Sequence, residues 1–169
     1  MERALNEAKI QAKLLFKGYK NKDPDYVVRL VKWHKSLSLI DTEVKLKHCQ
    51  VVIARELGFK DWQALQNLFS GNARGNGKDL DFGALFYTKA CAAFVNKWFT
   101  TYDEAKAVLG FEHYLLPYKK QFTVVSAEYI AMLGISNAYK MRSVNHDLFA
   151  SYPSETWDEL ALQALRNRR

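Results

Sequence analysis

The chain reads Ala54-Arg-Glu-Leu-Gly-Phe-Lys-Asp-Trp-Gln-Ala-Leu65 where two predicted helices meet, and this stretch decides how its first part folds. Gly58 can take the left-handed conformation that ends a helix, and Phe59 then folds back onto the last turn of that helix. Trp62 packs beside Phe59 as the next helix leaves at an angle. The stretch therefore predicts a helix–turn–helix corner.

Two helices are predicted upstream of this corner. The first spans about residues 2–19, and its apolar residues recur at helical spacing to form a buried face of Leu5, Ala8, Ala12, Leu15, Phe16 and Tyr19. Asp23 followed by Pro24 is a start signal, with the carboxylate as N-cap and the proline at the first helical position. It predicts a second helix that runs to about Ser36.

A third helix, beginning between residues 41 and 47, leads into the corner, and a short fourth helix follows it and closes near Gly71. The next residues, 71–79, are rich in glycine and asparagine and contain no large apolar residue. This composition is typical of a linker. We therefore predict a helical module over 1–70, a linker over 71–79 and a second domain over 80–169.

Beyond the linker, helical spacing predicts a long helix over residues 81–98. Its apolar face would consist of Phe82, Leu85, Phe86, Ala90, Ala93, Phe94 and Trp98. Thr101-Tyr-Asp-Glu104 fits a capping box and starts another helix. Two further helices are predicted over about 127–133 and from about residue 154 onwards.

Two short segments are the predicted strands, Tyr114–Tyr118 and Gln121–Val125, because they are aromatic or β-branched and are separated by two lysines. Pro117 lacks an N–H group, which favours an edge position for the first strand. The predicted fold class is α+β and α-dominant: a four-helix N-terminal module, a Gly-rich linker and a helical second domain with one small β-hairpin.

Composition excludes several classes of protein. The 169 residues include 49% apolar and 14% aromatic side chains, which is typical of a packed globule rather than a disordered chain. No apolar run approaches the roughly 18 residues of a membrane-spanning helix, and the first residues do not resemble a signal peptide. We therefore expect a soluble, cytoplasmic protein with no membrane partner.

The basic excess is concentrated in the first part of the chain. The protein has 25 Lys and Arg against 18 Asp and Glu, a net charge of +7. Its densest basic piece is a stripe at helical spacing on the first predicted helix, formed by Lys9, Lys13, Lys17 and Lys20. Such a stripe favours contact with nucleic-acid phosphates or with an acidic protein surface, although it is also typical of an ordinary solvated helix face.

Aromatic and basic residues alternate around the predicted hairpin, where Tyr114, Tyr118, Lys119 and Lys120 lie close together in sequence. Rings can stack on unpaired bases while lysines contact phosphates. The same residues are also typical of a protein–protein interface. In a third interpretation, the hairpin packs its rings onto the helix predicted over 81–98.

The corner sequence also resembles a known module. The pattern Ala-Arg-Glu-x-Gly-Phe-x-x-Trp-x-x-Leu over residues 54–65 resembles a small helical module found beside ankyrin-repeat and glyoxalase-like domains in bacterial proteins. The likeness covers about residues 10–70; the remaining residues are similar only to uncharacterised bacterial proteins. It implies a helical fold and no particular activity. If the corner entered a DNA groove, Lys60, Asp61, Gln63 and Gln66 would face the bases, and only one of them is basic.

The sequence contains no recognisable catalytic or metal-binding motif. The two cysteines, Cys49 and Cys91, and the four histidines lack metal-ligand spacing. Gly77-Lys78 is followed by Asp79 rather than by the Ser or Thr of a phosphate loop. We therefore expect no cofactor, no metal and no enzymatic activity.

Two functions and a third possibility remain. The first is a bacterial accessory protein that binds nucleic acid or a nucleoprotein complex through its basic helical face. The alternative is an inhibitor encoded by a mobile element, which acts by protein–protein contact on a host nucleoprotein machine such as a CRISPR effector. The third is a small enzyme whose site is assembled from distant residues.

Overall fold

The computed structural model describes residues 1–33, 43–73, 80–136 and 138–168. Residues 1–33 and 43–73 contain four helices close to their predicted positions: α1 (Arg3–Lys20), α2 (Pro24–Val31), α3 (Leu46–Glu56) and α4 (Trp62–Phe69). Asp23 caps α2 as predicted, because its side chain accepts a hydrogen bond from the N–H of Asp25 at 3.1 Å. The helix ends at Val31, and residues 34–36 of the predicted helix lie outside the described ranges.

The corner between α3 and α4 forms as predicted. Gly58 has a φ of +79°, and the N–H of Phe59 donates to the carbonyl of Ala54 at 2.9 Å, which closes the end of α3. Asp61 then caps α4 by accepting the N–H of Ala64 at 2.7 Å. Local chemistry alone thus stops one helix and starts the next.

The described residues from 80 onwards contain four more helices, α5 (Tyr102–Ala107), α6 (Ala127–Met132), α7 (Ala138–Ser143) and α8 (Glu155–Arg166). The capping box of α5 is present, with Thr101 and Glu104 each bonding the other's backbone N–H. Ser154 caps α8 by accepting the N–H of Trp157 at 3.1 Å. None of the helices in the described ranges is long and apolar enough to cross a membrane.

The sheet has three antiparallel strands, β1 (Lys97–Phe99), β2 (Tyr114–Tyr118) and β3 (Gln121–Val125), in the order β1-β3-β2. The predicted hairpin forms between β2 and β3, with Tyr118 opposite Gln121 across the turn. Pro117 lies on an edge strand of this sheet, as predicted. The helices and this small sheet confirm the predicted α-dominant α+β class, and β1 adds a strand that the sequence did not predict.

The long helix predicted over 81–98 is wrong. This segment forms a turn over 83–86, a 3-10 helix (Lys89–Ala93) and then β1. Part of its backbone bonds to distant parts of the chain, in addition to local bonds such as the one from the N–H of Tyr87 to the carbonyl of Ala84 at 3.0 Å. The N–H of Phe82 donates to the carbonyl of Lys119 at 3.0 Å, and the N–H of Ala84 donates to the carbonyl of Leu57 at 2.6 Å. Gly83, with a φ of +58°, makes the bend between these two bonds possible.

The core joins residues from both sides of the predicted linker. Trp157 of α8 lies at its centre, with ring centroids 5.0–6.2 Å from those of four rings, Phe69, Phe82, Phe86 and Tyr152. Residues 74–79 of the predicted linker lie outside the described ranges. The division into domains at 1–70 and 80–169 therefore stays a prediction.

Candidate nucleic-acid interface

The first candidate surface lies on α1. Ala4, Leu5, Ala8, Ala12 and Leu15 of this helix are buried, whereas Lys13, Lys17 and Lys20 are exposed and Lys9 is half-buried. At about 100° per residue, the four lysines fall within an arc of about 80° that lies beside the buried face. We call Lys9, Lys13, Lys17 and Lys20 the α1 lysine face.

Three of the four lysines of the α1 lysine face have no acidic partner among the residues that the structure describes. Lys20 Nζ lies 4.0 Å from Glu43 Oε1 and 5.1 Å from the centre of the Phe16 ring. Within the described ranges, no carboxylate oxygen lies within 4.0 Å of Lys9, Lys13 or Lys17. Their charge is therefore left for water, counterions or a bound polyanion to neutralise.

Two apolar side chains border the lysines. Ile10 is 45% exposed and Leu14 is 43% exposed, and they lie three residues before Lys13 and Lys17 respectively. Residues at this spacing are neighbours on a helix surface. The α1 lysine face is therefore bordered on one side by exposed apolar side chains. A purely electrostatic contact would not need these side chains.

The structure separates the hairpin residues that the sequence placed together. Tyr114 and Tyr118 lie at opposite ends of β2, about 13 Å apart along the strand. Tyr114 packs against His146 with ring centroids 4.5 Å apart, whereas Tyr118 lies at the turn beside Lys119 and Lys120. Only Tyr118 therefore shares a surface with the two lysines.

Two rings that the sequence did not place at this site surround Tyr118. Its ring centroid is 5.3 Å from that of Trp98 and 5.2 Å from that of Tyr87. Lys119 Nζ lies 5.5 Å from the centre of the Tyr118 ring, and Trp98 remains 43% exposed. A helix over 81–98 would not bring Trp98 here; the pairing of β1 with β3 does, by placing Trp98 opposite Thr123.

The most enzyme-like cluster of polar groups surrounds Asp147, which is 1% exposed. Its Oδ2 accepts hydrogen bonds from Tyr102 Oη at 2.8 Å and from Lys106 Nζ at 2.9 Å. Burial, together with the bond to Asp147, raises the pKa of Tyr102 to about 12. These bonds hold α5 against the segment after α7, and Oδ1 accepts the N–H of Ala150 at 2.9 Å, so both carboxylate oxygens have hydrogen-bond partners within the fold.

Neither metal ligands nor relatives point to a function. Across the parts of the chain that the structure describes, no three or more His, Cys, Asp or Glu side chains form a group that could hold a metal ion. No protein-family model, no curated protein and no solved structure matches the chain. The resemblance of residues 10–70 to the bacterial helical module therefore stays a prediction.

Proposed function

We propose that the protein binds nucleic acid, alone or within a nucleoprotein complex, through the α1 lysine face, and that it acts as a non-enzymatic accessory protein. The observation that carries the proposal is the row of Lys9, Lys13 and Lys17, which lacks acidic partners among the described residues. Successive lysines of this row are about 6 Å apart along the helix. Ammonium groups so spaced can contact phosphates of one strand and release the counterions condensed there.

The turn at Lys119 and Lys120 is a second contact in this proposal. Exposed Trp98 beside Tyr118 offers a ring face to an unpaired base, while the two lysines contact phosphates. This contact favours single-stranded over double-stranded nucleic acid, because paired bases do not expose their faces.

The test is fluorescence anisotropy with labelled single-stranded and double-stranded DNA and RNA at two salt concentrations. The double variant Lys13→Glu/Lys17→Glu is expected to bind more weakly. A plot of the logarithm of its binding constant against the logarithm of the salt concentration should have a slope shallower by about 1.4–1.8, because two phosphate contacts are lost. The matched control is Lys47→Glu/Lys97→Glu, which changes the net charge equally at two exposed lysines of α3 and β1.

An equal loss of affinity in both double variants would show that only net charge matters and would remove the α1 lysine face from the proposal. Absence of binding to all four ligands at low salt would refute nucleic-acid binding by the isolated protein.

A protein partner with an acidic surface is the second candidate, and the exposed Ile10 and Leu14 beside the lysines favour it. A mobile-element inhibitor of a nucleoprotein machine would use such a mixed surface. Binding through apolar anchors survives moderate salt and is lost in an Ile10→Ser/Leu14→Ser variant. Nucleic-acid binding should persist in that variant, so the two functions are distinguishable.

A further inference from the structure

A cleft of about 650 Å³ opens between α1, α2, α3, residues 84–90 and the turn that follows α8. Its volume is in the usual range for a small-molecule site. The walls combine apolar side chains, including Ile53, Leu57 and Met132, with four charged ones, Arg29, Glu56, Lys89 and Arg168. The cleft is on a different side of α1 from the lysines, because Gln11 is the α1 residue that lines it.

Arg168 is held rigidly in the wall of this cleft. Its Nη2 donates to the backbone carbonyls of Ala84, Leu85 and Tyr87, at 3.1 Å in the case of Leu85. Its Nε is buried and has no hydrogen-bond partner within 1–33, 43–73, 80–136 and 138–168. No carboxylate among the described residues forms an ion pair with it. Burial accordingly lowers the pKa of Arg168, since the charged form lacks the water it would otherwise have.

The one carboxylate in the wall is already matched. Glu56 accepts two hydrogen bonds from Arg29, at 2.8 Å from Nε and 2.6 Å from Nη2. This bidentate pair uses both carboxylate oxygens and raises the pKa of Arg29. Arg168 and Lys89 form no ion pair with any described residue, and in this sense they are the two unmatched cations of the cleft. An adjoining cavity of about 260 Å³ shares Arg29 and Arg168 and has Asp25 in its wall.

We propose that this cleft binds a small organic phosphate monoester, with its phosphoryl oxygens on Arg168 and Lys89 and its organic part against Ile53, Leu57 and Met132. A phosphate monoester carries a charge close to −2 at neutral pH, which matches two unmatched cations, whereas a carboxylate carries only −1. Since Nη2 of Arg168 already donates to backbone carbonyls and Nε is buried, Nη1 is the atom of this guanidinium group that would donate to the phosphoryl oxygens. The proposal does not rest on nucleic-acid binding by the α1 lysine face.

The test is isothermal titration calorimetry with phenyl phosphate, with inorganic phosphate and benzoate as comparison ligands. Phenyl phosphate is expected to bind most tightly. Lys89→Glu should weaken its binding by about tenfold or more, since an attraction becomes a repulsion. Ala90→Trp, which fills the cleft from an exposed position, should abolish it. Lys97→Glu, with the same change in charge away from the cleft, should bind like wild type.

Arg168→Gln should also lose binding, but this change removes three backbone contacts, so its folding must first be verified by thermal unfolding. Lys89→Glu and Ala90→Trp alter exposed side chains and keep the test independent of that variant. Equal affinity for benzoate and phenyl phosphate would overturn the assignment to a phosphate monoester. Absence of binding, or binding that survives both Lys89→Glu and Ala90→Trp, would overturn the site. Unchanged binding in Lys13→Glu/Lys17→Glu is expected, and its loss would place the phosphate on α1 instead.

Discussion

Replacing Asp158 with alanine should destabilise the protein by about 3 kcal/mol, because this carboxylate of α8 caps the start of α1. Asp158 is 2% exposed. Its Oδ2 accepts the backbone N–H groups of Glu2 and Arg3, each at 2.9 Å, and its Oδ1 accepts that of Ala4 at 3.1 Å. The first helix makes no capping bond with a side chain of its own N-cap residue, Glu2, so the cap comes from the other end of the chain.

The magnitude follows from the burial of the three donors. Glu2 and Arg3 are exposed, so water can replace the carboxylate at their N–H groups at a cost of about 0.5–1 kcal/mol each. Ala4 is fully buried, and an unsatisfied N–H there costs about 1–3 kcal/mol. Asp158→Asn retains one acceptor oxygen of similar shape and should lose about half as much stability.

Urea unfolding followed by far-UV circular dichroism measures this difference without relying on the fluorescence of Trp157, the neighbour of the mutated residue. Glu155→Ala is the matched control, since it removes an exposed carboxylate from the first turn of the same helix. It should change stability by less than about 0.5 kcal/mol. An Asp158→Ala variant as stable as this control would refute the role of Asp158 as the cap of α1.

Two further predictions concern the backbone and the pH dependence. Gly83→Ala should destabilise the protein by about 2 kcal/mol or more in urea unfolding. The added Cβ would lie 2.4 Å from the carbonyl oxygen of Leu57, and residue 83 has a φ of +58°, which alanine rarely adopts. Gly110→Ala, whose Cβ would meet only a side chain at 3.6 Å, should be nearly neutral, and equal stabilities of the two variants would contradict the argument. The pKa of Tyr102 is raised to about 12 in the folded protein, against an ordinary value of 10. The buried neutral hydroxyl therefore stabilises the folded state fully below pH 10, and this contribution is lost as the pH rises through 12. Tyrosine ionisation can be followed by ultraviolet absorbance. In Asp147→Asn, the ionisation of Tyr102 should move from about pH 12 towards pH 10. An unchanged ionisation would contradict the hydrogen bond from Tyr102 to Asp147.

Local signals in the sequence were sufficient to predict most helix ends and the hairpin. Gly58, Asp61 and Ser154 act on residues within a few positions of themselves, so their effect does not depend on the rest of the fold. The hairpin likewise follows from two short segments and a two-residue turn at Lys119 and Lys120. The helical spacing of the α1 lysines similarly determines that they share one face, but it does not determine what that face binds.

Segment 81–98 is the part of the chain whose secondary structure the sequence pattern predicted wrongly. Its apolar residues recur at helical spacing, yet Phe82 and Phe86 are buried around Trp157 on a turn. Bonds to the carbonyls of Leu57 and Lys119 satisfy part of its backbone and local turn bonds satisfy more of it, so one continuous helix is not needed there. This rearrangement is also what brings Trp98 beside Tyr118, a neighbour pair that spacing along the chain could not predict.

The sequence by itself determined the caps at the starts of α2, α4, α5 and α8, the corner, the hairpin and the lysine row, because each depends on residues that are close together in the chain. Only the tertiary structure decided the course of residues 81–98, the cap that Asp158 supplies to α1, and the cleft where Arg29 and Arg168 meet. These features join groups far apart in sequence. Their energies come from burial and from the pairing of backbone groups across the fold, neither of which a local pattern contains.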